Sequence, residues 1–295
     1  MSEAVPVSAR EVVGGDLAAA LDALAAPAAP GTGGGLPAVL VALDFDGTLA
    51  PLVDDPTTSA MTAAARAGVD ALAALPDDAA TRLALVSGRA LADLAALARP
   101  PAGAYLVGSH GAETGLVLPD GEVEAVPVEL TPQQQDVLDR LVAGLEEVAA
   151  GVEGAWVQTK PAAAVLHTRR SPADAAARAV ERADAVVAGL GLRALHGKDV
   201  VEVAVVEADK GSALARLRDV VGQELAAAAG APPATVRVLY AGDDTTDEHA
   251  LATLGPGDVG IKVGDGDTVA RLRVADADAV GAVLTYLAGA LRNRA

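Results

Sequence analysis

From residue 39 the sequence alternates short apolar runs with stretches of helical periodicity, and it does so twice, before residue 110 and again after residue 206. Runs such as LVALD (40–44), LALVS (83–87) and AYLVG (104–108) are short and nearly continuous in apolar residues, as strands buried on both faces must be. Helical stretches follow near 61–75 and from 91. The rhythm returns with a helix after Lys210, the run VRVLYAG (236–242), a helix near 246–254, the run VGIKVG (259–264) and a final helix from about 277. A βα alternation of this kind predicts an α/β fold with one doubly wound parallel sheet. Its ligand crevice lies at the carboxyl ends of the strands.

Between the two passages the rhythm changes. LVLPDGEVEAV (116–126) reads as a hairpin turning at Asp120-Gly121. A helix opened by Thr131 as cap and Pro132 at its first position comes next, then strands around Trp156 and Val165. A second helix capped by Ser171 and strands near Leu192 and over 200–205 complete an α-β-β-α-β-β block. It reads as an inserted α+β cap domain, residues 119–205, in a core made of residues 38–118 and 206–295. Residues 1–37 read as an appendage carrying one docked or loose helix and no chemistry, with membership of the core as the alternative: SARE (8–11) fits a capping box, Leu17, Leu21 and Leu24 mark one helical face, and APAAPGTGGG (26–35) reads as a flexible linker.

Charge and composition exclude several functions. A net charge of −18 argues against nucleic-acid binding, which needs a broad basic face. No apolar run approaches the length of a membrane span, and the amino terminus, interrupted by acids and Arg10, does not read as a signal peptide. The absence of cysteine excludes disulfides and thiolate chemistry and makes a reducing cytoplasm the simplest location. Among 22 basic residues only Lys160, Lys198, Lys210 and Lys262 are lysines.

Four stretches carry chemistry. In LVALDFDGTLAPL (40–52), Asp44 and Asp46 stand two apart where strand becomes loop, so both project to one side, and Gly47 lets the chain turn. One carboxylate can attack phosphorus while its neighbour moves the proton of the leaving oxygen and then of water. Two acids beside a phosphate require a hard cation, and Mg²⁺ suits oxygen ligands. VSGRA (86–90) offers the Ser87 hydroxyl and free amides to a phosphoryl group, and Lys210 in ADKGSAL (208–214) can offset charge at a helix start. YAGDDTTDEHA (240–250) delivers Asp243, Asp244, Asp247 and Glu248 to the same sheet edge. Each piece also has an ordinary reading: an acidic surface loop, a Ser-Gly turn, a solvated lysine, acids drawn to a helix dipole. The dipole explains one or two acids and not four.

The order of acid pair, serine, lysine and acid cluster, each at a strand end or helix start, resembles the haloacid dehalogenase superfamily of phosphohydrolases. The resemblance covers nearly all of residues 38–290. It implies Asp44 as nucleophile, Asp46 as acid/base lending its backbone carbonyl to Mg²⁺, Ser87 and Lys210 as the phosphate-holding pair, Asp243 as metal ligand and Asp247 as support of the metal shell.

More specific stretches, GSHGAE (108–113), KPAAAVLHTRR (160–170), GKDVVEV (197–203), GDDTTDE (242–248) and KVG (262–264), resemble the trehalose-6-phosphate phosphatases. That resemblance implies trehalose 6-phosphate as substrate, with Lys160 and Glu202 on its hydroxyls and Arg89, His110, His167, Arg169 and Lys198 bordering the same cleft. It leaves synthesis of the ester to a separate trehalose-6-phosphate synthase. His167 and Arg169 also fit a sheet-face pair, and Lys262 also fits a charged strand edge. Where a proline usually follows the glutamate of the cap's last strand, Ala204 and Val205 stand here, which makes Glu202 the least secure of the carried-over residues. Other capped sugar phosphatases, for sucrose phosphate or mannosyl phosphoglycerate, and a silent sugar-phosphate sensor are the alternatives. The intact set Asp44, Asp46, Lys210 and Asp243 argues against the sensor.

Overall fold

The computed structural model describes residues 13–27, 38–126, 130–197, 199–206, 209–230 and 235–294. The chain divides between residues 126 and 127, and again between 208 and 209, into two compact units. The capping box at 8–11 and most of the linker at 26–35 lie outside the described residues.

The larger unit is built on eight strands: β1 (Ala38–Asp44), β2 (Thr81–Val86), β3 (Tyr105–Gly108), β4 (Glu113–Val117), β5 (Val123–Val126), β10 (Val236–Gly242), β11 (Val259–Val263) and β12 (Leu272–Val274). Their order is β12-β11-β10-β1-β2-β3-β4-β5. Pairing is parallel from β12 to β3 and antiparallel through β4 and β5. With β1 central, the chain builds the sheet outward on one side through β2 and β3 and on the other through β10 and β11. That reversal opens a crevice where β1 and β10 end.

Alternation along β1 sends side chains to two cores. Val39, Val41 and Leu43 join helices α1 (Gly15–Ala25), α2 (Ala63–Ala73), α3 (Leu91–Ala98) and α8 (Ala277–Arg292). Ala38, Leu40 and Ala42 join α6 (Lys210–Ala229) and α7 (Asp247–Leu251) on the other face. All seven β1 residues are buried, which a strand covered on both faces requires.

The smaller unit has α4 (Pro132–Ala150) and α5 (Ala173–Gly189) on one face of a sheet of β6 (Trp156–Lys160), β7 (Ala163–His167), β8 (Ala194–Gly197) and β9 (Val200–Ala204), ordered β6-β7-β9-β8. Leu138, Leu141 and Leu145 of α4 meet Ala164, Leu166, Val201 and Val203 in its core. Thr131 and Gln134 cap α4 reciprocally, with Pro132 at the first position as expected.

Four expectations need correction. The hairpin at 116–126 belongs to the larger unit, because β4 pairs antiparallel onto β3 and β5 onto β4, so the unit boundary falls at 126/127 and not at 118/119. The second boundary falls at 208/209 and not at 205/206. Helix α1 is no appendage: Leu17, Leu21 and Leu24 are buried in the core beside α8, Arg237 donates to the carbonyls of Ala23, Leu24 and Ala26, and Tyr286 donates to Asp22. Ser171 does not cap α5, whose N-cap is Pro172, and the Ser171 hydroxyl finds no partner among the described residues. Strand β12, three residues long, carries too little pattern to be read from sequence.

Since Leu21 is fully buried, Leu21→Ala is expected to destabilise the larger unit by about 2–5 kcal/mol in urea unfolding. A loosely attached helix would give a change near zero.

Candidate active site

The crevice at the carboxyl ends of β1, β2 and β10 is a cleft of about 640 Å³ lined by Asp44, Asp46, Ser87, Gly88, Arg89, His110, Lys210, Asp243 and Asp244, with Leu52, Val53 and Pro56 at its apolar side. Seven sequence-predicted residues therefore meet in one place although they span 200 positions of chain. A second cavity, of about 520 Å³, lies at the opposite end of the strands, where Arg82, Tyr105 and Glu224 bond to one another. Glu224 there is engaged by both Arg82 and Tyr105, and the cavity offers no comparable set of acids.

Asp44 is the last residue of β1 and is 3% exposed. Lys210, the first residue of α6, places Nζ 2.7 Å from Asp44 Oδ1 and 2.8 Å from Asp247 Oδ1. Asp209 caps that helix through the Ser212 amide at 2.7 Å, fixing where α6 begins and hence where Lys210 points. Asp247 is fully buried, and its remaining bonds come from the Tyr240 hydroxyl at 2.6 Å and the Asp244 amide at 3.0 Å.

Burial and the Asp247 carboxylate push the Asp44 carboxyl well up despite Lys210, and burial with Asp247 raises Asp243 as well. Burial lowers Lys210, but Asp44 and Asp247 outweigh it and hold the ammonium above its ordinary value. The site thus keeps one charged lysine among three crowded carboxylates. One carboxylate oxygen each of Asp44, Asp243 and Asp247 lie within 4.8 Å of one another, and Asp44 Oδ2 is buried without a donor among the described residues. An orphaned anionic oxygen beside a second carboxylate fits a hard divalent cation, which binds oxygen ligands and offsets their repulsion. Asp247, engaged by three donors, serves this set as a brace for Lys210 and Asp44.

Close approach makes the cluster possible. A Cβ on Gly47 would lie 2.0 Å from Asp243 Oδ2, and Gly47 has φ +81°, so glycine is required there twice over.

Asp46 lines the same cleft and has partners of its own. Arg89 holds it with a two-pronged contact, Nε to Oδ2 at 2.5 Å and Nη2 to Oδ1 at 2.7 Å, and the Ser59 hydroxyl donates to Oδ1 at 2.8 Å. Burial raises Asp46, but these donors outweigh it and hold its carboxyl below the usual range. Ser87 is buried at the end of β2, its Oγ accepting from the Arg89 amide at 3.2 Å. Ser109 and His110 both have positive φ, and the His110 ring lies where a Cβ on Gly88 would stand. Two consecutive left-handed residues at a cleft wall store backbone strain of the kind found at functional sites.

The remaining predicted residues belong to the smaller unit. Its register puts Trp156 opposite His167 and Val165 opposite Glu202, so Trp156, Gln158, Lys160, His167 and Glu202 share the sheet face away from α4 and α5. Lys160 pairs with Glu202 at 2.7 Å. His167 stacks on Trp156 with centroids 4.6 Å apart and meets Gln158 at 3.0 Å, so it has the sheet-face partner that its strand position allowed. Burial, then Arg169 and Lys160, hold His167 below its ordinary value. Arg169 is exposed beyond the end of β7, and Lys198 lies outside the described residues.

Sequence reasoning missed Tyr240 and Ser59. Tyr240 had a signal: a tyrosine inside an apolar strand needs a partner for its hydroxyl, and four acids follow it. Ser59 had none, since its partner lies across a loop.

Lys210→Met strands buried carboxylates without their cation and is expected to cost about 3–5 kcal/mol in urea unfolding. Adding Asp247→Asn should recover part of that loss, whereas simple additivity of the two changes would mean that the pair is not coupled.

Residues 42–274 match the family described as Trehalose-phosphatase. A trehalose-phosphate phosphatase of Mycobacterium marinum is 33% identical over 232 residues, 77% of this chain and 54% of the relative. A bifunctional trehalose-6-phosphate synthase/phosphatase of Thermoproteus tenax is 33% identical over 253 residues, 84% of this chain and 32% of that one. The chain thus spans about half the mycobacterial relative and a third of the archaeal one. In fold it is similar to the trehalose-6-phosphate phosphatase of Aspergillus fumigatus (TM-score 0.56, 23% identity, 85% of this chain and 93% of that one). The strand order, the site at the switch point and these relatives agree: this chain belongs to the trehalose-phosphatase family.

Proposed function

We propose that this chain hydrolyses trehalose 6-phosphate to trehalose and phosphate through an aspartyl-phosphate on Asp44. The observation that carries the reading is the Asp44 carboxylate, held by Lys210 at one oxygen and left without a donor among the described residues at the other, in the cleft at the ends of β1, β2 and β10. Asp44 attacks phosphorus as the bond to the sugar oxygen breaks, and Asp46 gives that oxygen its proton. In the second half Asp46 takes a proton from water, which attacks the same phosphorus and releases phosphate with the Asp44 carboxylate restored.

Asp46 can act only after leaving its contact with Arg89. The substrate's phosphoryl group is the stronger partner for a guanidinium fork, so its arrival supplies the exchange. Ser87, with amides at the end of β2, and Lys210 hold the other phosphoryl oxygens. Mg²⁺ held by Asp44 and Asp243, with Asp46 lending its carbonyl and Asp247 supporting the shell, would supply charge neutralisation between the acids and the phosphate. Lys160, Glu202 and Gln158 share one face of the smaller unit's sheet and offer charged and amide groups of the kind that recognise sugar hydroxyls. A cysteine-free composition supports a cytoplasmic location, and among the described residues no helix is long and apolar enough to cross a membrane.

Phosphate release measured on trehalose 6-phosphate, sucrose 6-phosphate and mannosyl phosphoglycerate, with Mg²⁺ and with chelator, tests the reading. Trehalose 6-phosphate is expected to turn over fastest and only with the cation. A faster ester would replace the substrate, and undiminished rates in chelator would remove the cation.

Asp44→Asn is expected to lower turnover on the order of 10³-fold or more while substrate binding stays measurable by calorimetry. Turnover at the wild-type rate in that variant would reassign the nucleophile.

A further inference from the structure

Lys262 is one of the chain's four lysines and, like Lys210, is only 3% exposed. Burying an ammonium is costly unless it is paired, and a methionine would fill the same slot beside Gly242 without that cost. Its pairing is unusual. The only carboxylate at ion-pair distance among the described residues is Glu248, at 3.6 Å, while the nearest partner is the backbone carbonyl of Asp243, which accepts from Nζ at 2.5 Å.

Register explains how the contact arises. Gly242 and Lys262 are the last residues that β10 and β11 pair with each other, so the lysine side chain reaches the first carbonyl past the end of that ladder. The chain leaves β10 at that peptide, and the Asp243 carboxylate lies against Gly47, where even a Cβ could not fit. Glu248 extends the hold, its Oε2 accepting from the Val269 amide at 2.9 Å and the Thr268 hydroxyl at 3.2 Å.

We infer that Lys262 is a positioning residue for the cation site, fixing the Asp243 peptide so that its carboxylate stays beside Asp44. This rests on the reading that Asp44 and Asp243 hold a divalent cation. With the donor removed, the peptide after Gly242 is free to rotate, and the two carboxylates no longer converge. The consequence falls on cation affinity, which a merely space-filling lysine would not change.

The test uses the full chain without substrate, titrated with Mg²⁺ in a calorimeter and with Mn²⁺ by electron paramagnetic resonance. Lys262→Met is expected to weaken binding of both cations at least tenfold with a cooperative urea transition retained. Lys262→Arg, which keeps charge and donors, is expected to recover most of the affinity. If the methionine variant does not fold, Lys262→Gln carries the same expectation at about threefold. A folded methionine or glutamine variant that binds as tightly as wild type overturns the role of Lys262 alone. A wild-type chain that binds neither cation overturns the cation site itself.

Discussion

The structure depends on one buried ammonium between two buried carboxylates. Lys210 reaches Asp44 at the end of β1 and Asp247 at the start of α7, so a single charge ties three elements far apart in sequence at the sheet's switch point. A buried carboxylate at that depth is costly without a paired cation. The same holds for the lysine without its acids. This mutual need explains why the same residues serve both stability and chemistry, and why Asp44, Asp243 and Asp247, two carboxylates more than Lys210 can neutralise, fit a divalent cation.

Most of the larger unit was legible in the sequence because parallel strands buried on two faces leave near-continuous apolar runs. LVALD, LALVS, AYLVG and VRVLYAG all became strands, and their ends brought Asp44, Ser87 and Asp243 together. What stayed hidden was hidden for a physical reason. Strands β4 and β5 look like any hairpin, and nothing local says that β4 pairs onto β3 rather than within the inserted domain. Helix α1 showed its apolar face plainly, but the partners that bury it, Arg237 and α8, lie over 200 residues away.

The site was legible for residues whose chemistry depends on type and placement, such as the acid pair and the lysine at a helix start. It was less legible where a contact depends on tertiary approach. That Arg89 would grip Asp46, or that Ser59 would join it, follows from loop geometry that no periodicity encodes. Tyr240 lies between these cases, its need for a partner readable and the identity of that partner not.

The position of β1 also governs how the chain comes together during synthesis. This central strand leaves the ribosome well before its neighbour β10 and before the helix α8 that helps bury α1. Until β10 emerges one edge of β1 stays uncovered, and until α8 emerges so does part of the apolar stripe of α1; pairing of such high sequence separation is slow. Assembly of the larger unit therefore waits on β10 and α8, and the inserted smaller unit is complete in sequence before the sheet that surrounds its insertion can close.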